Sequence, residues 1–186
     1  MRLNTFWEKQ PSVLLSFVCL VLFVAIRIII TGGTIDGLEY SAANKAPPRH
    51  LTIIPEFLER ARLSVEYELE LLMQKDSKFI TDEDREIIYN RCLKSKEKQI
   101  VITHGTMTMP VTAKFLGKKK LKKTIVLVGS AVLGNKTNSD AFFNLGGAIT
   151  AVQLLPVGVY VAMDGKIFTW DNVKKNFKTN MFETER

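Results

Sequence analysis

Two short turns share one design: Thr31-Gly32-Gly33-Thr34 and Thr103-His104-Gly105-Thr106. Each directly follows a run that reads as a buried strand, residues 26–30 and 99–102. In a parallel sheet both turns open at the same carboxyl edge, where open α/β folds bind ligands. Two threonine hydroxyls, Thr34 and Thr106, with the backbone N–H groups of Gly33 and Gly105 beside them, then surround one crevice. That pairing suits nucleophilic attack on a carbonyl carbon, one threonine attacking and the second in support. Neither turn is specific alone. A strand followed by Gly-Gly is often a phosphate cradle or a tight bend, and His104 could simply satisfy buried polar groups. The dinucleotide fingerprint and the phosphate-binding P-loop are both absent, however, which leaves the pair as the informative signal.

The elements that must position these turns fit one domain. At 186 residues, with 46% hydrophobic and 24% charged residues, the chain has the size and composition of an ordinary globular domain. Its net charge is +7, concentrated in Lys118, Lys119, Lys120, Lys122 and Lys123. No aromatic residues are interleaved there and no nucleic-acid motif accompanies it, so the block reads as a solvated loop and no nucleic-acid partner is expected. Cys19 and Cys92 lack metal or redox spacing, which fits a reducing compartment. With only His50 and His104 as histidines, and no carboxylate cluster beside His104, no metal is expected.

Strand and helix patterns alternate along the chain. A polar, Gly/Pro-punctuated stretch, residues 36–50, reads as a loop long enough to lie over the crevice. Ile54-Pro55 opens a helix, and residues 64–73 alternate as a strand with Val65, Tyr67, Leu69 and Leu71 on one side. Thr81 with Asp82-Glu83-Asp84 caps a second helix carrying Ile87, Ile88 and Cys92. A third runs through Val111, Phe115 and Leu116 and is expected to end at Gly117. The apolar run 124–128 predicts a central strand, and Ser139-Asp140 caps a fourth helix over 141–155. Strand 157–163, an Asp164-Gly165 turn and a returning strand 166–170 form a hairpin, and 171–186 reads as an irregular tail. The order predicts an α/β fold: a doubly wound, mainly parallel sheet in a three-layer, Rossmann-like or flavodoxin-like arrangement.

Residues 12–26 carry no charge but fall short of the about 20 apolar residues of a spanning helix unless they borrow from the first strand. Three readings fit: a secretory or anchoring segment, a helix packed on the domain, or an extension outside the functional fold. The last is the working division, with 1–26 as extension and 27–186 as functional domain, and the expected location is cytoplasmic.

Thr31-Gly32-Gly33-Thr34-Ile35 and Val101-Ile102-Thr103-His104-Gly105-Thr106 resemble the two signature turns of the bacterial-type L-asparaginases. The resemblance continues through Ser139-Asp140-Ala141-Phe142-Phe143-Asn144-Leu145, Gly158-Val159-Tyr160-Val161-Ala162-Met163 and Asp171-Asn172-Val173-Lys174-Lys175. It covers residues 27–183 and corresponds to the family's amino-terminal domain, so the chain looks like a short, single-domain form. The resemblance implies hydrolysis of asparagine or a related amide to the acid and ammonia, without a cofactor. It makes Thr34 the nucleophile, Tyr40 the tyrosine that helps to activate it, Thr106 the second catalytic threonine and Lys175 its lysine partner. Ser77 matches the serine that holds the substrate carboxylate. A threonine hydroxyl needs a base, and a partly buried lysine with a depressed pKa can supply one. Backbone N–H groups at the start of the helix after Thr106 can hold negative charge.

One position departs from the pattern. The family reads Thr-His-Gly-Thr-Asp-Thr-Met, whereas this chain has Met107 where the family's aspartate binds the substrate's ammonium. Removing one side of a buried charge pair costs about 3–5 kcal/mol, so turnover of asparagine is expected to suffer. Gly129-Ser130-Ala131 also differs from the family's usual Gly-Ala-Met or Gly-Ser-Met. The family's carboxy-terminal domain completes the pocket across a dimer interface; without a match to it, either self-association closes the site, the homo-oligomer expected here, or the pocket is more open. Two further functions stay open: a weak or inactive amino-acid-binding relative, and the glutaminase part of an amidotransferase working with a partner protein.

Overall fold

The structure is a computed structural model and describes residues 25–37 and 52–186. Its centre is a six-stranded sheet built from β1 (Ile26–Ile30), β2 (Tyr67–Leu71), β3 (Gln99–Thr103), β4 (Thr124–Val128), β5 (Gly158–Met163) and β6 (Lys166–Thr169). The strand order is β2-β1-β3-β4-β5-β6, parallel throughout except for the β5–β6 hairpin. The hairpin reverses through Asp164 and Gly165, both at positive φ, which the short polar side chain and the missing Cβ allow.

Period-two alternation sorts the strand residues between two cores. Ile28 and Ile30 of β1, with Val126 and Val128 of β4, face α1 (Ile54–Arg60) and α4 (Ala141–Leu154). Ile29, Ile125 and Leu127 face α2 (Asp82–Lys94) and α3 (Met109–Lys118). A strand covered on both sides has no room for a polar face, which is why β4 reads Thr-Ile-Val-Leu-Val and is buried throughout. The predicted three-layer α/β architecture is the one found.

After β2 the chain recrosses β1 to lay down β3 on its other side. The carboxyl ends of β1 and β3 therefore flank the topological switch point, the usual ligand crevice of such sheets. Thr81 closes a capping box with Asp84 at the start of α2, as the sequence pattern requires.

Four local expectations change. The strand predicted over 64–73 shrinks to β2, an edge strand on which Tyr67 is 38% exposed. Ile87 is half exposed while Ile88 and Cys92 fill the core. Gly117 does not end α3; it lies inside the helix because a Cβ there would overlap the Trp170 ring, and the chain reverses at Lys120, at φ 52°. The tail is not irregular: β7 (Lys174–Lys175) pairs with β8 (Phe182–Glu183), and Val173 and Phe182 enter the core.

Gly117 yields a stability test. Alanine normally gains about 1 kcal/mol over glycine inside a helix, but overpacking against a fixed ring costs about 1–3 kcal/mol. Gly117→Ala should lower unfolding free energy in urea by about 1–2 kcal/mol. A stabilised variant would mean that Trp170 does not hold the start of the tail against α3.

Candidate active site

The two threonine turns are joined by backbone. At the strand ends, Thr31 donates to the Thr103 carbonyl through both its N–H (3.2 Å) and its hydroxyl (2.6 Å). Gly33 then adopts φ +89°, and a Cβ on it would lie 2.5 Å from the Gly105 nitrogen. A Cβ on Gly105 would in turn fall 2.7 Å from the Ser77 hydroxyl oxygen. Close approach requires both glycines, and at Gly33 the positive φ requires one as well. Ser77 is buried in a 3-10 turn, Ser77–Phe79, and its carbonyl accepts from the Thr108 hydroxyl at 2.6 Å. Gly33, Gly105, Ser77 and the 106–108 segment form one continuous contact.

The loop after β4 touches both threonines. The Thr34 hydroxyl donates to the Ser130 carbonyl at 2.8 Å, and a Cβ on Gly129 would sit 3.1 Å from the Thr106 methyl. Asp140 holds this loop. Its carboxylate accepts from the backbone N–H groups of Ala131 and Val132, each at 3.0 Å, and from the Asn144 amide at 2.8 Å. The Asn144 amide also donates to the Gly129 carbonyl at 3.1 Å. The expectation that Asp140 caps α4 gives way to this role, because Ser139 accepts the Ala141 N–H instead.

Lys175 approaches from the tail. Its Nζ lies 2.5 Å from the Thr106 hydroxyl oxygen. The β7–β8 pairing sets Lys175 opposite Phe182, whose ring is buried and whose N–H donates to Asp164 at 2.7 Å. Burial pulls the Lys175 ammonium below the ordinary lysine range, against the opposing pull of the Asp164 and Asp140 carboxylates. Charged, Lys175 donates to Thr106; neutral, it can accept the threonine's proton.

His104 is fully buried beside this pair. Its Nδ1 faces the Gly105 carbonyl at 2.7 Å, which places the proton there and leaves Nε2 to accept from the Thr112 hydroxyl at 3.0 Å. Burial drives its pKa down to about 4, the Gly105 carbonyl opposing and Arg85 adding to the effect. A histidine held neutral and doubly bonded shapes the turn and is not a base near neutral pH.

Met107 follows Thr106 but is 48% exposed, on a cavity of about 280 Å³ shared with Pro110, Val111, Lys175 and Phe177. At such exposure the buried-pair figure of several kcal/mol does not transfer, because water screens the charge. Tyr40 lies outside the described residues. Asp36 was not anticipated as a site residue. It is buried two residues beyond Thr34 and accepts from the Thr52 hydroxyl (2.5 Å) and the Ile53 N–H (3.0 Å). Burial raises its pKa, opposed by those hydrogen bonds. No sequence signal separates it from a polar loop residue. Among the described residues no three His, Cys, Asp or Glu side chains are grouped as metal ligands.

An α/β sheet with paired hydroxyl turns at its switch point defines the class, and comparison with known proteins gives the family. The profile described as Asparaginase, N-terminal matches residues 25–184, and the chain belongs to that family. It is 32% identical over 175 residues to a glutaminase-asparaginase of Pseudomonas fluorescens biotype A, covering 84% of this chain and 47% of the relative. It is 32% identical over 172 residues to a glutamyl-tRNA(Gln) amidotransferase component of Sulfolobus acidocaldarius, covering 87% and 38%. Among solved structures, a probable cytoplasmic L-asparaginase of Campylobacter jejuni superposes with a TM-score of 0.73 at 29% identity, covering 86% of this chain and 52% of that one. The thermostable L-asparaginase of Thermococcus kodakarensis gives 0.74 at 28%, covering 86% and 51%. The chain thus spans about half the length of these relatives or less, the part that carries both threonine turns.

The buried histidine makes stability depend on pH. The unfolded chain binds its proton near pH 6.5 and the fold only near 4, so stability falls as pH drops through that window, by up to about 3 kcal/mol. His104→Asn should flatten this limb relative to the wild type in urea titrations between those pH values. Parallel curves for the two proteins would show that His104 is not held neutral.

Proposed function

We propose that this chain carries the nucleophilic half of an amidohydrolase that releases ammonia from asparagine or a related amide, working in the cytoplasm as a homo-oligomer. The observation that carries the reading is the 2.5 Å contact between Lys175 and Thr106, set against the turn that bears Thr34. Thr34 Oγ1 attacks the amide carbon, and its proton passes, with Tyr40 assisting, to the amide nitrogen. The tetrahedral intermediate then expels ammonia and leaves an acyl ester on Thr34. Neutral Lys175, through Thr106, takes a proton from water, which cleaves the ester to the acid and restores the hydroxyl. Ser77 and the backbone at the start of α3 hold the substrate's carboxylate. The functional domain begins at residue 27.

A second reading, the glutaminase component of an amidotransferase, is favoured by the similarity to the Sulfolobus amidotransferase component. It requires a partner that receives the ammonia, so ammonia release by the chain alone separates the two. An inactive amino-acid-binding relative would bind asparagine and release nothing.

Thr34→Ala should reduce ammonia release from asparagine by at least about a thousandfold while asparagine binding persists. Unchanged turnover would remove Thr34 from the reaction. In the wild type the rate should rise with pH through a lysine pKa below the ordinary value, since the base works unprotonated. A rate that falls over that range would exclude Lys175 as base. Met107→Asp should raise activity on asparagine about tenfold, equivalent to about 1.4 kcal/mol of transition-state stabilisation. An unchanged rate would place the substrate ammonium elsewhere.

A further inference from the structure

All five parallel strands enter the sheet at the edge opposite the threonine turns, and that edge is basic. The segments entering the strands expose Arg62 ahead of β2, Lys96 and Lys98 ahead of β3, and Lys120 and Lys122 ahead of β4. Glu66, and Glu59 in the last turn of α1, are exposed carboxylates here; Glu97 is buried and paired with Arg27. Lys94 and Lys118, at the last turns of α2 and α3, add exposed charge to the same edge.

These charges stand on a fixed platform. The Lys123 ammonium is buried and donates to the Ser95 carbonyl and, at 3.0 Å, to the Glu97 carbonyl. It ties the segment entering β3 to the segment entering β4 and so holds Lys98 beside the 118–122 block. By itself that lysine block reads as a solvated loop, but the fold gathers further cations around it from two other segments.

Apolar side chains project from the same edge. Leu154, at the end of α4, is 81% exposed, and Val157, ahead of β5, is 63% exposed. Exposed aliphatics among flexible lysines suit an interface where methylene stems lie against acyl chains and ammonium groups meet phosphates. Stable attachment to a bilayer takes two signals, and the exposed Leu154 and Val157 beside the polybasic patch provide them.

We infer that the strand-entry edge is a docking surface for an anionic lipid bilayer. A strand of five residues spans about 16 Å, so docking on this edge leaves the threonine turns at the far edge, facing water. The cationic edge favours an anionic membrane over a neutral one, and the exposed aliphatics favour a bilayer over a soluble polyanion.

The test is sedimentation of the full chain with vesicles of phosphatidylcholine alone and of phosphatidylcholine with about a third phosphatidylserine. At low salt the anionic vesicles should bind at least about tenfold more tightly, and added salt should erode the difference. The variant Lys96→Glu/Lys98→Glu/Lys120→Glu/Lys122→Glu, checked for folding by circular dichroism, should lose at least about a hundredfold on anionic vesicles and nothing on neutral ones. Leu154→Ser/Val157→Ser should weaken binding to both. Equal binding of the wild type to the two vesicle types would overturn the proposal, as would a charge-reversed variant that binds like the wild type. Tighter binding to an RNA duplex than to anionic vesicles at the same salt would overturn it too, by assigning the edge to nucleic acid.

Discussion

Every proposed role in this site depends on one steric condition: the backbones of Gly33 and Gly105 touch. A side chain on Gly33 would hold the two turns apart, since its Cβ would lie 2.5 Å from the Gly105 nitrogen. With both side chains absent, the turn after β1 rests on the turn after β3, and Ser77 packs on the far side of Gly105. Thr34 and Thr106 are then brought against one loop, Gly129–Ser130. The sheet topology makes this possible. β1 and β3 are neighbours with no strand between them, and their carboxyl ends coincide at the switch point.

Around that contact the structure places ionisable groups unequally. His104 is sealed in with both nitrogens engaged, which removes it from proton transfer near neutral pH. Lys175 is only half buried, so its ammonium is destabilised while solvent can still carry protons to and from it. Depth therefore separates a fixed, neutral histidine from a titrating lysine within a few ångströms of the same threonine turn. Asp140 remains a structural carboxylate, saturated by two backbone donors and an amide, and keeps the Gly129–Ser130 loop at its post.

Strand content, layer order and the placement of both turns at one edge could be read from residue types, because buried parallel strands are runs of aliphatic residues and Gly-rich turns end them. Gly33 and Gly105 stood out for the same reason. Lys175 was found only through family resemblance. Its strand is two residues long, too short for any periodicity, and pairs with residues 182–183 after an intervening loop. Asp140 looked like a helix cap because cap residues and loop-binding carboxylates share a sequence signature; only the fold shows which N–H groups face it. Gly117 imitated a helix stop, since a glycine that makes room for a ring far along the chain has the same one-letter pattern as a terminator. Asp36 left no signal at all, because its partners, Thr52 and Ile53, lie 16 and 17 residues further along the chain.

The most direct measurement of the central claim, that the two turns make one catalytic centre, is peptide mapping of acid-quenched Lys175→Met protein after exposure to asparagine. With the water-activating lysine removed, an acyl ester should accumulate on the peptide that bears Thr34 and on no other. Ammonia release without any adduct, or an adduct carried by Thr106, would contradict the account.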